Sequence, residues 1–180
     1  LEKAIDDVLI ALFQNGEPVR PEQGYPMRLF VPGWEGNISV KWLTQIKLTS
    51  APAQFRDETS KYTDTLPDRS SRQFTFPMET KSLITSPSGE MTLPGPGLYK
   101  ITGIAWSGSG RINRIEVSAD GGTSWAEALI ESEQFDKALT RFSIPWEWDG
   151  GEAIIQSRAT DSAGTLQLTR EAVIADRGTN

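Results

Sequence analysis

Residues 97–125 read GLYKITGIAWSGSGRINRIEVSADGGTSW and contain two short segments without helical periodicity, Gly97–Trp106 and Arg111–Ser118. Each segment ends in turn residues: Ser107-Gly108-Ser109-Gly110 after the first, and Asp120-Gly121-Gly122 after the second. Gly tolerates left-handed backbone, while Asp and Ser bond to their own backbone, so both kinds of residue favour turns. The stretch therefore predicts two consecutive strands joined by a short loop.

The same pattern extends on both sides of this stretch, with turn signals at Pro87-Ser88-Gly89, Asp149-Gly150-Gly151 and Asp161–Gly164. Seven or eight short strands within about 100 residues indicate a mainly β fold, an immunoglobulin-like β-sandwich. This architecture implies no function by itself. The further predicted strands are Gln73–Met78, Ser82–Thr85, Trp125–Ile130, Leu139–Trp148, Ala153–Thr160 and Thr165–Thr169.

The first 60 residues are of mixed α+β character. Ile5, Val8, Leu9, Leu12 and Phe13 follow helical spacing, which predicts an amphipathic helix that ends at Asn15-Gly16. Met27 to Val31 is a short, mostly apolar run, and the alternation of Ile38, Val40 and Trp42 with polar residues predicts a strand. Residues 50–72 are polar and predict a connection between domains. We place the first domain at 1–62 and the β-sandwich at 63–180.

Composition excludes several classes of site. The chain has no Cys and no His, which excludes disulfides, Cys/His zinc sites and Ser–His–Asp or Cys–His catalysis within these residues. The net charge of -6 argues against a nucleic-acid partner, since phosphate binding needs a basic surface. No run approaches the roughly 20 apolar residues of a membrane span. Charged residues within Leu1–Leu12 argue against a signal peptide there.

Two basic residues near the N-terminus form the first candidate site. Arg28 begins an apolar segment, Lys41 lies on the polar side of another, and a Gly-rich turn joins the two segments. An Arg fork and a Lys point charge suit an anionic group such as a phosphate, and glycines permit close backbone approach. The alternative is that both side chains simply point to solvent.

Three other features are candidates for function. The loop at 105–111 presents Arg111 at the start of a strand, either to bind an oxyanion or as an ordinary exposed residue of a hairpin. Residues 118–125, SADGGTSW, fit the Asp-box pattern, and a single copy without a propeller repeat indicates a structural hairpin. The six Trp residues could form a sugar-binding face, although packing is the simpler interpretation for Trp146 and Trp148.

Several segments in this order resemble the sulfite oxidase family of molybdopterin oxidoreductases, and within it the SoxC-type sulfane/sulfite dehydrogenase subunits. The resemblance covers nearly the whole chain and is specific because the order and spacing match. The segments are GYPMRLFVPGWEGNISVKWL at 24–43, SKYTD at 60–64, residues 97–125 quoted above, ALTRFSIPWEWDG at 138–150 and QSRATDSAG at 156–164.

The resemblance implies the tail of a molybdopterin-binding domain followed by an immunoglobulin-like dimerisation domain. In the first part, Arg28 matches a cofactor-binding Arg, and Ser39, Val40 and Lys41 match the segment that holds the phosphate end of the cofactor. Gln23 stands where many members have a cofactor-contacting His, which is a departure from the pattern.

Two further residues match the family's active site. Tyr62 matches an active-site Tyr near the substrate, and Arg111 matches an Arg that reaches into the anionic substrate pocket. A guanidinium that neutralises a sulfur oxyanion is chemically reasonable, because a desolvated charge is otherwise costly.

The resemblance also implies what surrounds these residues in an intact enzyme. The family's molybdenum ligand is a Cys, which this chain lacks, so we expect no metal ligand here, a fragment of a longer protein and no activity by itself. The intact enzyme would oxidise sulfite or sulfane sulfur with oxygen from water, pass electrons to a c-type cytochrome, form a homodimer and lie in the periplasm. The alternative is a non-catalytic immunoglobulin-like binding or assembly module.

Overall fold

The structure is a computed structural model and describes residues 2–51, 55–56, 62–66, 68–73 and 76–177. The chain divides into two compact units. Unit 1 consists of Leu1–Pro77 together with Leu168–Asn180, and unit 2 consists of Met78–Gln167.

Unit 2 is a β-sandwich of two antiparallel sheets. Its strands are β7 (Lys81–Ser86), β8 (Gly97–Trp106), β9 (Ile112–Ser118), β10 (Ala126–Glu127), β11 (Leu129–Ile130), β12 (Thr140–Trp148) and β13 (Gln156–Asp161). One sheet has the order β11-β12-β8-β7 and the other has the order β10-β9-β13.

The core of unit 2 lies between these sheets. Ile101, Ala105 and Phe142 come from the first sheet, and they pack with residues of β9 and β13 such as Ile115 and Ala159. All five side chains are buried, as period-two alternation predicts for strands with one face on a core. The predicted mainly β, immunoglobulin-like sandwich is therefore confirmed.

Most predicted strands of unit 2 are present with shifts of a few residues at their ends, but two are wrong. The predicted strand Trp125–Ile130 is divided at Ala128 into β10 and β11, which belong to different sheets, because Glu127 pairs with β9 and Leu129 pairs with β12. Thr165–Thr169 forms only an isolated bridge between Thr160 and Leu166. The reason is local: the N–H of Thr165 donates to the Asp161 carboxylate, and this turn replaces regular strand pairing. The predicted strand Gln73–Met78 is also not one strand. A short strand, Ser71–Gln73, ends at its first residue, and Pro77 forms a single bridge with Trp34, while residues 74–75 lie outside the described residues.

Unit 1 contains short elements. They are α1 (Glu2–Asp6), β1 (Leu9–Ala11), β2 (Phe13–Gln14), β3 (Glu17–Pro18), a 3-10 turn at Pro21–Gln23, β4 (Arg28–Phe30), a 3-10 turn at Gly36–Ile38, β5 (Thr63–Thr65), β6 (Ser71–Gln73) and α2 (Arg170–Arg177). Helix α2 was not predicted from the sequence. It begins after Thr169, whose hydroxyl accepts a hydrogen bond from the N–H of Ala172.

The predicted helix over residues 5–13 is wrong beyond Asp6. Leu9–Ala11 instead pairs antiparallel with β4, with Leu9 opposite Phe30 and Ala11 opposite Arg28. Residues 8–13 are all apolar, and such a run suits a strand as well as a helix, so tertiary pairing decides between them. Asn15 and Gly16, with φ of 53° and 82°, form the two-residue hairpin turn between β2 and β3 rather than a helix end.

The predicted strand from Ile38 to Trp42 is also wrong. Gly36–Ile38 is a 3-10 turn, and Trp42 has a φ of 50°, which no regular strand accommodates. Two backbone hydrogen bonds join this segment to β4 and the residue before it, from the Leu29 N–H to the Val40 carbonyl and from the Leu43 N–H to the Met27 carbonyl. The side chains of Lys41 and Trp42 reach carbonyl groups of the turn at Pro21–Gln23.

Candidate functional site

A tight turn at Pro21–Gly24 organises the basic residues of unit 1. Pro21–Gln23 is a 3-10 helix, and the N–H of Gly24 closes it by donating to the Pro21 carbonyl at 3.1 Å. Gly24 has a φ of 111°, and a Cβ there would lie 2.9 Å from the Cβ of Lys41. Only glycine therefore permits this turn to lie directly against the Lys41 segment.

Carbonyl groups of this turn hold the side chains of three later residues. Arg28 donates from Nη1 to the Gln23 carbonyl at 3.2 Å, and Lys41 donates from Nζ to the Glu22 carbonyl at 2.7 Å. The indole of Trp42 donates to the Pro21 carbonyl at 3.1 Å, and Lys41 Nζ lies 5.8 Å from the Trp42 ring. Two positively charged side chains are thus fixed to one turn by neutral acceptors.

The neighbouring segment supplies the other predicted residues. The Ser39 hydroxyl accepts a hydrogen bond from the Val31 N–H at 3.2 Å, which leaves its own proton available to donate. The Val40 carbonyl accepts from the Leu29 N–H at 2.8 Å, and its side chain is exposed. The side chain of Gln23 lines an open surface depression of about 310 Å³ together with Gln14, Asn15, Glu17, Pro18 and Arg20.

The charges of Arg28 and Lys41 have no carboxylate partner among the described residues. Neither side chain takes part in an ion pair, whereas Arg20 in the same region pairs with Glu17 at 2.7 Å. The Nε atom of Arg28 is buried and has no hydrogen-bond partner among the residues that the structure describes. A buried donor without a partner costs free energy, so these residues fit an anionic group with phosphate-like oxygens.

Tyr62, the predicted active-site Tyr, directly precedes β5 in unit 1. Its side chain is 42% exposed, so the phenol is accessible to solvent. Residues 57–61, which include the first two residues of the SKYTD segment, lie outside the described residues. The role of Tyr62 stays a prediction.

Arg111, the predicted substrate-pocket residue, is exposed and belongs to unit 2. Its Nε donates weakly to the Asn113 amide oxygen at 3.4 Å, and it forms no ion pair with any described residue. Its backbone, in contrast, is held firmly, because its carbonyl accepts from the Ser162 N–H at 2.8 Å. Its guanidinium can thus bind an oxyanion, and this role also stays a prediction.

Sequence reasoning missed a buried carboxylate near Arg111. Asp161 is 2% exposed and accepts hydrogen bonds from the hydroxyls of Thr80 at 2.9 Å and Ser107 at 2.8 Å. It also accepts from the backbone N–H groups of Ala163 at 3.0 Å and Thr165 at 2.9 Å. Burial acts to raise the pKa of Asp161, but these hydrogen bonds together outweigh it and hold the pKa below its ordinary value.

The Asp-box segment is a structural turn, as the sequence predicts. Asp120 accepts from the hydroxyls of Ser118 and Ser124 and from the Ser124 N–H, and these bonds hold the pKa of Asp120 well below its ordinary value. Trp125 donates to the Gly122 carbonyl at 3.0 Å, and the Arg158 guanidinium lies 4.2 Å from its ring. These contacts join the turn to β13.

Tyr99, Trp146 and Trp148 of unit 2 do not form a flat sugar-binding surface. Trp146 and Trp148 are inclined at 33° to each other, and Tyr99 is inclined at 46° and 63° to them. A carbohydrate platform needs coplanar, exposed rings, whereas both of these Trp side chains are half-buried. The arrangement is that of a packed aromatic cluster.

Neither a metal-binding group of His, Cys, Asp or Glu residues nor a membrane-spanning helix is found in the part of the chain that the structure describes. There, no three His, Cys, Asp or Glu residues are grouped so that they could hold a metal ion. None of the helices described has the length and apolar character needed to cross a membrane.

Two family models match the chain in succession. Residues 1–56 match the oxidoreductase molybdopterin binding domain, and residues 72–179 match the Mo-co oxidoreductase dimerisation domain. The second match covers more than half of the chain.

Similar proteins include a sulfane dehydrogenase, a sulfite oxidase and a nitrate reductase. The crystal structure of the sulfane dehydrogenase SoxCD from Paracoccus pantotrophus is 50% identical, with a TM-score of 0.95 over 99% of this chain and 46% of that chain. Sulfite oxidase from Arabidopsis thaliana is 33% identical over 89% of this chain and 45% of its own length. Nitrate reductase [NADH] 1 from Oryza sativa subsp. japonica is 31% identical over 79% of this chain and 17% of its own length. The chain therefore spans less than half the length of each of these proteins.

Proposed function

Because the chain belongs to the sulfite oxidase family of molybdopterin oxidoreductases, we propose that it is the C-terminal part of an enzyme that oxidises sulfite or sulfane sulfur. The similarity to SoxCD, at 50% identity over nearly the whole chain, favours a sulfur substrate over nitrate, since the nitrate reductase is only 31% identical. In the intact enzyme the molybdenum cofactor supplies the redox chemistry at the substrate, and electrons pass to a c-type cytochrome.

The observation that carries this proposal is the pair of cations held on the Pro21–Gly24 turn. Arg28 and Lys41 are fixed by carbonyl groups and have no carboxylate partner among the described residues. A cofactor phosphate would provide the missing negative charge, and the buried Arg28 Nε would gain an acceptor. We assign Gln23, Arg28, Ser39, Val40 and Lys41 to cofactor binding, with Ser39 donating its hydroxyl proton and Gln23 its amide.

Substrate contacts are assigned to Arg111 and Tyr62. The guanidinium of Arg111 is exposed and without an ion pair in the described parts of the chain, so it can neutralise an anionic sulfur substrate without first breaking a salt bridge. The Tyr62 phenol can donate a hydrogen bond to a developing oxyanion. Both assignments rest on the resemblance to the family and on the accessibility of the two side chains.

Unit 2 supplies the dimer surface in this proposal. Several large apolar side chains of its strands are exposed, among them Leu98 at 76% and Leu129 at 68%. Burial of such side chains between two copies is favourable, which supports a homodimer through this domain. We further propose a periplasmic location and a domain boundary after residue 62, both from the family resemblance.

The proposal is tested by removing one cation from the full-length enzyme. In Lys41→Gln we expect the molybdenum content, measured by elemental analysis, and the pterin content, measured by fluorescence after oxidation, to fall together at least several-fold. The physical reason is the loss of a charge-assisted contact with the cofactor phosphate.

Lys47→Gln is the matched control, because Lys47 is an exposed lysine of the same unit. Its substitution removes the same charge and should leave both contents at the wild-type level. Full cofactor content in Lys41→Gln, or an equal loss in both variants, would refute the assigned phosphate contact.

A further inference from the structure

The loop that presents Arg111 is tied to a buried carboxylate on a neighbouring strand. Ser107 lies at the start of this loop, is 1% exposed and donates from Oγ to Asp161. The same oxygen accepts the N–H of Ser109 at 3.1 Å, so the hydroxyl connects the carboxylate to the middle of the loop. The loop therefore cannot move without disturbing the hydrogen bonds of Asp161.

A second connection runs from Asp161 through the next residue. The N–H of Ser162 donates to the Arg111 carbonyl at 2.8 Å. The Oγ of Ser162 lies only 2.2 Å from the place where a Cβ of residue 110 would be, so Gly110 lets the two segments touch. The backbone just before the Arg111 side chain is therefore in direct contact with the Asp161 turn.

The backbone of β13 is shaped so that Asp161 points inward. The pairing of β13 with β9 shifts between Thr160 and Asp161, with Thr160 opposite Arg114 and Asp161 opposite Ile112. Such a bulge turns a side chain to a new direction. The Thr80 hydroxyl and two backbone N–H groups complete the binding of the carboxylate, which has no ion pair with a cation among the described residues.

In the described part of the chain, the buried Asp161 carboxylate accepts its hydrogen bonds from hydroxyls and N–H groups. A hydrophobic side chain would fill such a site without the cost of burying a charge. The hydrogen bonds of Asp161 instead join three segments, which are Thr80, the loop that begins at Ser107 and the turn at residues 161–165. The last two segments both contact the backbone next to Arg111. Among the described residues, the guanidinium of Arg111 makes one weak side-chain hydrogen bond, to Asn113 at 3.4 Å, so its placement depends largely on its backbone.

We infer that Asp161 is a positioning residue, which holds the 107–111 loop so that Arg111 meets the anionic substrate. This inference rests on the proposed function, because it takes the substrate contact of Arg111 as given. Asp161 touches neither substrate nor cofactor in this inference and acts only through the loop.

The test uses the full-length, cofactor-loaded enzyme with sulfite as the probe and cytochrome c as the electron acceptor. Arg111→Gln should raise the KM for sulfite roughly 10- to 100-fold, since it removes a charge-assisted contact. Asp161→Asn should raise the KM about three- to tenfold through misplacement of the guanidinium. In both variants kcat should stay within about twofold, because the lost interaction is made in ground and transition states alike.

The double variant separates positioning from general damage. If Asp161 acts through Arg111, Asp161→Asn should raise the KM no further in the Arg111→Gln background. A purely structural role would raise it in both backgrounds. Thr80→Val removes one hydrogen bond to Asp161 at constant shape and should raise the KM, whereas Thr80→Ser keeps the hydroxyl and should restore the wild-type KM. These two variants carry the test if Asp161→Asn does not fold.

Phe142→Leu is the control for stability, because Phe142 lies in the hydrophobic core of the same unit and its side chain cannot hydrogen-bond to Asp161. It should lower the unfolding temperature and leave the KM unchanged. The inference is overturned if the KM is unchanged in Asp161→Asn and Thr80→Val, or if the effects of Arg111→Gln and Asp161→Asn on the KM add up in the double variant. In either case, a raised KM in Arg111→Gln would still support the proposed function. An unchanged KM in Arg111→Gln overturns the substrate role of Arg111 and the inference with it.

Discussion

Replacing Gly103 by Ala should destabilise the β-sandwich strongly, although the added group is a single methyl. Gly103 lies in β8, opposite Ile84 of β7. A Cβ at this position would lie 2.3 Å from Cζ of Phe142 and 2.4 Å from the carbonyl oxygen of Leu83. Favourable contacts between non-bonded atoms need about 3.5–4.0 Å, so each neighbour would have to move by more than about 1 Å.

The size of the effect follows from what would have to move. Phe142 is 1% exposed, so its ring can retreat only by disturbing the packed core. The Leu83 oxygen belongs to the backbone of a paired strand and can retreat only if β7 separates from β8. Overpacking costs about 1–3 kcal/mol and occasionally more, while the Gly-to-Ala change recovers about 0.4–1 kcal/mol from the unfolded chain. Because neither obstacle can retreat easily, the overpacking cost should lie near the upper end of its range, and the net loss should be about 2 kcal/mol.

Urea unfolding of the 180-residue chain, followed by circular dichroism and Trp fluorescence, measures this loss. With a slope of about 1–3 kcal/mol per molar urea, the midpoint of the sandwich transition should fall by roughly 1 M or more. Gly97→Ala is the control in the same strand, since the nearest atom to its new Cβ would be Cε2 of Tyr99 at 3.9 Å. Its midpoint should change little.

A second substitution identifies the obstacle. Combining Gly103→Ala with Phe142→Leu removes the ring but leaves the Leu83 carbonyl, so the added cost of the methyl should shrink without vanishing. Equal midpoints for Gly103→Ala and Gly97→Ala would refute the reasoning, because they would show that the core yields at no cost.

Two further predictions concern acid stability and the cofactor. The folded pKa of Asp161 is lowered, so its carboxylate stabilises the fold fully above the unfolded pKa of about 4 and loses this contribution as pH falls below it. The difference in the free energy of unfolding between wild type and Asp161→Asn should therefore be smaller at pH 3 than at pH 6, as measured by urea midpoints. An equal difference at both pH values would contradict the predicted effect of Asp161 ionisation on stability. The 180-residue chain contains no Cys to bind the metal, so by itself it should retain no molybdenum in elemental analysis. It should also reduce no cytochrome c with sulfite. Activity in that assay would overturn the assignment of the metal ligand to the rest of the enzyme.

Several features could be predicted from the sequence because their causes are local. The bounds of β8, Gly97–Trp106, agree with the prediction, since strand residues end at a Ser/Gly loop whose composition alone marks a turn. The Asp-box turn is likewise built from residues within eight positions of each other. The candidate residues Arg28, Lys41 and Arg111 came from residue type together with the family resemblance.

Other features depend on partners that are distant in the chain, and here local patterns were insufficient. Leu9–Ala11 forms a strand because it pairs with Arg28–Phe30, and no property of residues 5–13 indicates that partner. Lys41 and Trp42 leave strand geometry because their side chains reach the carbonyls of Glu22 and Pro21, about 20 residues earlier.

The sequence by itself determined the β-sandwich, since turn chemistry and the alternation of buried and exposed positions act over a few residues. The tertiary structure decided which charges are buried and which cations lack a partner. Asp161 is one of 24 acidic residues, and only its contacts with Thr80 and Ser107, which are 81 and 54 positions away, separate it from the others. Burial and hydrogen bonding at such separations are properties of the folded chain, because they depend on how the strands are brought together.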